Sequence, residues 1–111
     1  MSSLPLPGHP HIAQRDGALQ VEGVSLDALA REHGTPLFVY SKQWMLDALA
    51  AYQRGFEGRD ALVCYAMKAN SSLGVLRVFA EAGCGFDIVS GGELARVLAV
   101  GADPKTVSYT H

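Results

Sequence analysis

Long apolar runs are missing from this 111-residue sequence. No stretch approaches the ~20 consecutive apolar residues that span a bilayer. The first eight residues also lack the charged region and the long apolar region of a signal peptide. We therefore expect a protein that has no membrane partner and a cytoplasmic location.

Blocks of like charge and cysteine motifs are missing as well. Nine Lys and Arg residues against eleven Asp and Glu residues give a formal net charge of -2. Because no basic run is present to neutralise phosphates, nucleic acid is not an expected partner. The two cysteines, Cys64 and Cys84, have a spacing that fits neither a metal site nor a disulfide framework. We expect both to be reduced, with Cys64 a small core residue.

Lys68 is the residue whose position most suggests chemistry. It follows the apolar run Ala61–Met67, which lacks period-two alternation and so predicts a strand buried on both faces, and it precedes the polar segment Ala69–Ser72. An amine beside a dry interior is partly desolvated, which leaves more neutral amine to attack an aldehyde or carbonyl. The alternative is that Lys68 is simply the first solvated residue after a core strand.

Strands and helices alternate from residue 37 onward, which predicts an α/β fold with a parallel sheet. The predicted strands are Leu37–Tyr40, Ala61–Met67, Phe86–Val89 and Val107–Tyr109. Three helices are predicted between and after these strands. The first spans 42–55 and has a core stripe of Trp44, Ala48, Leu49 and Tyr52. The second is capped by Ser71 or Ser72 and ends at Gly83, and the third begins with a Ser90/Glu93 capping box and ends at Gly101.

Residues 1–36 have a different pattern and are predicted to be a separate domain from 37–111. The first ten residues contain three prolines and predict an extended, poorly ordered arm. A hairpin over His11–Val24 is expected to turn at Asp16-Gly17. Ser25 then caps a short helix.

A parallel sheet places its chemistry at the carboxyl ends of its strands. Lys68, Asp87, Ser90 and His111 all fall near such ends. Asp87 could face a cofactor pocket, cap a neighbouring loop or pair with Lys68. Glu93 is expected to serve its helix cap, and no role is assigned to His111.

Two motifs resemble those of a known family. They are Tyr-Ala-Met-Lys-Ala-Asn at residues 65–70 and Gly-Phe-Asp-Ile-Val-Ser-Gly-Gly-Glu-Leu at residues 85–94. Together, in this order, they resemble the N-terminal part of the diaminopimelate decarboxylases, which are barrel-type pyridoxal-phosphate enzymes. The resemblance begins near Pro10 and runs to the last residue.

This resemblance implies a cofactor, a reaction and a fold. Lys68 would hold pyridoxal 5'-phosphate as a Schiff base, with Asp87 beside the cofactor. The full enzyme would decarboxylate the small amino acid meso-2,6-diaminopimelate to L-lysine and act as a homodimer. The chain would be a partial (β/α)8 TIM-type barrel of the alanine racemase-like fold with an N-terminal hairpin and arm, because a whole barrel takes about 250 residues.

Three alternatives stand beside this interpretation. Ornithine or arginine decarboxylases share the fold, although the run at 90–94 favours the diaminopimelate branch. Alanine racemase fits less well, because its lysine is followed by a Tyr-Gly-His-Gly type of run where this chain has Ser-Ser-Leu-Gly-Val. A non-catalytic chain could instead associate with a longer homologue through unpaired strand edges and apolar helix faces.

Overall fold

A computed structural model describes residues 3–6 and 9–109 of the chain, with side chains from residue 10 onward. The chain divides into two compact units, Met1–Trp44 and Met45–His111. The first unit contains an antiparallel sheet and the second a parallel sheet. The predicted domain boundary after residue 36 stays a prediction.

The sheet of the first unit is a meander of antiparallel strands in the order β1-β2-β3-β4. Its strands are β1 Ser3–Leu6, β2 His9–Arg15, β3 Ala18–Val21 and β4 Val24–Ser25. The predicted turn at Asp16-Gly17 is confirmed, since both residues have positive φ (54° and 76°) between the paired residues Arg15 and Ala18. A second two-residue turn of the same kind at Glu22-Gly23 was not predicted.

The predicted poorly ordered arm is wrong for residues 3–6, which form β1, and for His9 and Pro10, which begin β2. Pro5 cannot donate a backbone hydrogen bond, but β1 is the edge strand, where a missing donor is tolerated. Residues 1, 2, 7 and 8 of the predicted arm lie outside the described residues.

Helix α1 spans Leu26–His33, as the sequence predicts. The Ser25 hydroxyl accepts a hydrogen bond from the backbone N–H of Ala28 at 3.2 Å and so caps its first turn. Gly34 ends the helix at φ 81°, where it donates to the Ala30 carbonyl at 2.8 Å.

The predicted strand Leu37–Tyr40 is wrong, because no strand ladder includes these residues in the described chain. Phe38 is 86% exposed and Tyr40 is 54% exposed. Apolar composition favours a strand only when a neighbouring strand satisfies the backbone.

Helix α2 spans Lys42–Gly55, as predicted, and Ser41 caps it. The buried Ser41 hydroxyl donates to a Glu22 carboxylate oxygen at 2.9 Å and accepts from the Trp44 backbone N–H at 3.0 Å. Glu22 thereby places negative charge at the N-terminus of α2, where the helix dipole favours it.

The second unit contains a parallel sheet with the order β5-β6-β7, and this part of the predicted alternation is confirmed. Its elements are β5 Cys64–Ala66, a 3₁₀ helix Met67–Ala69, α3 Leu73–Glu81, β6 Gly85–Ile88, α4 Gly91–Ala99, a 3₁₀ helix Pro104–Thr106 and β7 Val107–Tyr109. Among the residues whose side chains the structure describes, those without any exposed surface are Met67, Leu76, Phe86 and Val97. They pack the sheet and its helices into one apolar core.

The predicted core stripe of α2 is confirmed at Leu49 and wrong at Ala48 and Tyr52, while Trp44 is half-buried. Leu49 is 5% exposed, whereas Tyr52 is 63% exposed and Ala48 is also exposed. Met45, four residues before Leu49, packs against the same core. Helical spacing fits either of two adjacent stripes, and the sequence pattern did not separate them.

The predicted strand Ala61–Met67 is too long. Only Cys64–Ala66 are in the ladder, and they are half-buried, while Leu62 is 53% exposed. In the described residues β5 is an edge strand that pairs with β6 alone. Burial on both faces, which the unbroken apolar run predicted, is therefore not seen.

Gly85 lies where β6 passes its neighbours too closely for a side chain. A Cβ there would be 2.6 Å from the Thr106 carbonyl oxygen, 2.8 Å from the Cys64 Sγ and 2.9 Å from a Leu62 methyl carbon. We expect Gly85→Ala to lower the free energy of unfolding by about 1–3 kcal/mol through overpacking, measured from urea unfolding curves.

Gly74 in α3 provides the matched control, because a Cβ there meets only the Ser72 Oγ at 3.8 Å. Gly74→Ala is expected to leave stability unchanged or raise it by up to about 1 kcal/mol, since alanine favours the helix. Equal urea midpoints for the two variants would contradict the close packing assigned to Gly85.

Candidate functional site

Lys68 lies in the 3₁₀ helix that directly follows the carboxyl end of β5. Its side chain is exposed, whereas the preceding Met67 is completely buried. Within residues 3–6 and 9–109, the Lys68 amine has no hydrogen bond or ion pair with another side chain. The dry surroundings expected from the sequence are absent here, but the amine is accessible to a carbonyl compound.

Three hydrogen bonds hold the segment that follows Lys68. The Tyr65 hydroxyl donates to the Asn70 carbonyl at 2.9 Å, and the Asn70 side-chain oxygen accepts from the Ser72 backbone N–H at 2.9 Å. Arg96 of α4 donates to the Ser71 carbonyl at 3.2 Å. The turn is thus tied to β5, to the start of α3 and to α4.

Asp87 lies in the middle of the sheet at the same level as Ala66 and Ser108, because the three residues are paired across β5, β6 and β7. Side chains alternate along a strand, so these three share one face, opposite the face of Phe86. Asp87 is half-buried, and no ion pair joins it to Lys68 in the described residues. The assignment of Lys68 and Asp87 to a cofactor site stays a prediction.

The negative charge of Asp87 affects the Cys64 thiol on the neighbouring strand. Burial raises the pKa of the Cys64 thiol, and the negative charge of Asp87 raises that pKa further. Both cysteines are free, as predicted, but the fully packed one is Cys84, at 4% exposure, while Cys64 is half-buried. Burial also raises the pKa of Cys84, and the Tyr65 backbone partly offsets this through a hydrogen bond.

The predicted Ser90 cap at the start of α4 is confirmed, and Glu93 reaches back as in a capping box, but to the residue before the N-cap and not to the N-cap itself. The Glu93 backbone N–H donates to the Ser90 Oγ at 3.1 Å, and the Glu93 carboxylate accepts from the Val89 backbone N–H at 2.8 Å. Ser90 and Glu93 are therefore engaged in the helix start, although they lie at the carboxyl end of β6. His111 lies outside the described residues.

A cavity of about 300 Å³ lies at the other end of β5. It is lined by residues of the segment that leads into the strand, Leu62 and Val63 among them. Because Lys68 follows the carboxyl end of β5, this cavity is separate from the candidate site.

The family described as pyridoxal-dependent decarboxylase, pyridoxal binding domain, matches residues 43–111. Because the match covers more than half of the chain, the chain belongs to this family. Pyridoxal 5'-phosphate, the predicted cofactor, is confirmed at the level of the family.

The resemblance to diaminopimelate decarboxylases is also confirmed. The chain is 51% identical over 96 residues to the Pseudomonas aeruginosa diaminopimelate decarboxylase and 45% identical over 101 residues to the Aquifex aeolicus one. These alignments cover 86% and 91% of this chain but only 23% and 24% of the relatives. The chain thus spans about a quarter of the length of the curated relatives it matches.

Solved structures give the same result. A crystal structure of diaminopimelate decarboxylase from M. jannaschii matches with a TM-score of 0.89 and 32% identity, over 95% of this chain and 26% of that one. A second M. jannaschii structure, in complex with L-lysine, matches with a TM-score of 0.84 and 33% identity, over 88% of this chain and 24% of that one. The mixed α/β class is confirmed, and closure into a barrel is not tested by three strands.

No helix among the described residues is long and apolar enough to cross a bilayer.

Sequence reasoning missed the residues that hold the Lys68 turn. Tyr65 and Asn70 belong to the motif quoted for the family, yet no role was assigned to either. The available signal was an asparagine two residues before Ser72, a spacing typical of an Asx turn. Nothing in the sequence links Arg96 to Ser71, because that contact depends on how α4 packs.

Asp87→Asn is expected to lower the pKa of the Cys64 thiol toward its ordinary value, because the variant removes the carboxylate charge and leaves only burial as a cause. The measurement is the rate of alkylation by iodoacetamide against pH, with the product at Cys64 quantified by peptide mass. The reaction profile should move to lower pH.

The exposed Asp60 is the matched control, since Asp60→Asn makes the same change of charge elsewhere on the surface. Its alkylation profile should match that of the unmodified chain. If Asp87→Asn and Asp60→Asn gave the same profile, the carboxylate of Asp87 would not act on this face of the sheet.

Proposed function

We propose that this chain is the lysine-bearing segment of a pyridoxal-phosphate-dependent decarboxylase that converts meso-2,6-diaminopimelate to L-lysine, with Lys68 as the catalytic residue. The observation that carries the proposal is the accessible Lys68 amine, which has no partner among the described residues and lies in a hydrogen-bonded turn at the carboxyl end of a parallel strand. Active sites of parallel α/β folds lie at that end. Because the chain is about a quarter of the length of its relatives, the reaction is proposed for the whole protein.

The residues of the site suit this cofactor. An amine that no carboxylate engages can react with an aldehyde, and Lys68 meets this condition in the described residues. Asp87 supplies a half-buried negative charge on one face of the sheet, next to the strand that leads to Lys68.

The chemistry that pyridoxal phosphate supplies when bound is an electron sink for the charge left at the α-carbon as carbon dioxide departs. Lys68 would be the residue that holds the cofactor, through its side-chain amine. The role proposed for Asp87 is to set the local charge beside the cofactor. No residue of this chain is assigned to substrate selection, so the choice of meso-2,6-diaminopimelate rests on the relatives.

Further parts of the proposal rest on the same family. The parallel strands β5, β6 and β7 are proposed to be successive strands of a partial (β/α)8 barrel of the alanine racemase-like fold. The related M. jannaschii enzyme was solved with L-lysine, which supports an amino-acid ligand. A homodimer and a cytoplasmic location are proposed for the whole enzyme.

A second candidate function is association without catalysis. β5 and β7 are the outer strands of the described sheet, and apolar side chains on or near them are exposed, with Leu62 at 53% and Tyr109 at 60%. Open edges of this kind pair with other chains. Association would make the sedimentation coefficient rise with protein concentration, whereas a concentration-independent monomer would exclude it.

Covalent capture of pyridoxal phosphate tests the proposed function. The Lys68 amine adds to the aldehyde carbon and one water leaves, and borohydride then delivers hydride to the resulting C=N carbon to give a stable secondary amine. Peptide mass is expected to place most of the reduced product on Lys68. Lys68 is no more exposed in kind than the other lysines, so a preference for it would mean that residues around it bind the cofactor.

Lys42 and Lys105 are internal controls, since they are the other two lysines of the chain and both are exposed. Lys42→Ala and Lys105→Ala should leave the total captured cofactor almost unchanged, whereas Lys68→Ala should remove most of it. Equal labelling of the three lysines would mean that this chain has no site for the cofactor, and would contradict the proposal.

A further inference from the structure

Tyr65 is held at both ends of its side chain. Its ring stacks on Phe79 of α3 with centroids 4.5 Å apart and meets Phe86 of β6 edge-on at 6.4 Å. Its hydroxyl donates to the Asn70 carbonyl at 2.9 Å in a partly buried position. A hydroxyl on a ring that two elements fix is a rigid anchor for the backbone it contacts.

The hydrogen bond from Tyr65 closes the turn that contains Lys68. It joins the strand before Lys68 to the carbonyl two residues after it, and Met67 is buried between these points. The Lys68 backbone is therefore fixed on both sides, while its side chain extends into solvent. Fixing the backbone restricts the volume that the amine can reach and so raises its effective concentration in one place.

We propose that Tyr65 is a positioning residue that keeps the Lys68 amine where it captures the cofactor. This inference rests on the proposed function, because the position of the amine matters only if Lys68 forms the covalent link. The hydroxyl proton is engaged with the Asn70 carbonyl, so the role assigned to Tyr65 is to hold the turn and not to transfer a proton. Arg96 gives the same turn a second tie, to Ser71, from an exposed position.

The two hydrogen bonds that hold the turn, from Tyr65 and from Arg96, are expected to differ in their effect on Lys68. A partly buried hydrogen bond contributes more than an exposed one, because an exposed carbonyl exchanges its lost donor for water. Loss of the Tyr65 hydroxyl should therefore affect Lys68 more than loss of the Arg96 side chain. Neither change removes a side chain from the apolar core.

Tyr65→Phe tests the inference, because it removes the hydroxyl and keeps the ring that packs on Phe79. The readout is the rate of borohydride-trapped labelling at Lys68 with pyridoxal phosphate, divided by the rate at Lys42 and Lys105 in the same molecules. We expect this ratio to fall about threefold to tenfold, the change that corresponds to one hydrogen bond of ordinary net strength. General destabilisation would also lower this ratio, so urea unfolding midpoints are measured for each variant, and the comparison is made under conditions in which every variant is fully folded.

Tyr52→Phe is the matched control, since Tyr52 is 63% exposed and loses the same atom. It should leave the labelling ratio unchanged, and Arg96→Ala should lower it by less than Tyr65→Phe does. A second readout needs no cofactor: amide hydrogen exchange in residues 68–72 should be faster in Tyr65→Phe than in Tyr52→Phe.

The outcomes separate the two claims. If Lys68 of the unchanged chain is labelled selectively, but Tyr65→Phe alters neither the labelling ratio nor the exchange of residues 68–72, the positioning role is overturned and the proposed function stands. If the unchanged chain shows no preference for Lys68, the proposed function fails and the positioning role fails with it. Selective labelling that Tyr65→Phe weakens, together with faster exchange, supports both.

Discussion

The burial of Met67 directly before the exposed Lys68 is the constraint on which the candidate site depends. Met67 has no exposed surface and belongs to the core that β6, α3 and α4 share. A fully packed side chain cannot rotate out without opening a cavity, which typically costs about 2–5 kcal/mol for a residue of this size. Because the core holds Met67, the chain must present the next side chain, Lys68, to solvent at the carboxyl end of β5.

The parallel pairing of β5, β6 and β7 adds the chemical surroundings. It brings Ala66, Asp87 and Ser108 to one level and one face of the sheet. The Asp87 carboxylate on β6 then adds to the effect of burial in raising the pKa of the Cys64 thiol on β5. The other face is apolar and packs against helices. The family match adds that domains of this family bind pyridoxal.

Local signals in the sequence predicted the elements that depend on local chemistry. The Asp16-Gly17 turn and the α4 cap needed only neighbouring residues. The wrong or missing predictions concern residues whose structure depends on partners far away in the sequence. Leu37–Tyr40 has the composition of a strand but pairs with no strand in the described chain. Ser41 is buried against Glu22, which lies in a hairpin turn nineteen residues earlier. At the candidate site, the place of Lys68 after a strand was predictable, and its exposure fits the alternative that Lys68 is the first solvated residue after the strand. The sequence did not decide between that alternative and a dry environment, because the length of β5 is set by pairing with β6.

A crystal structure of this chain grown with pyridoxal phosphate would test the central claim most directly. The account predicts electron density that continues from the Lys68 Nζ into the cofactor, with Met67 buried and the Tyr65 hydroxyl within hydrogen-bond distance of the Asn70 carbonyl. Cofactor density on Lys42 or Lys105, or a turn in which Met67 is exposed and Lys68 packs inward, would contradict it.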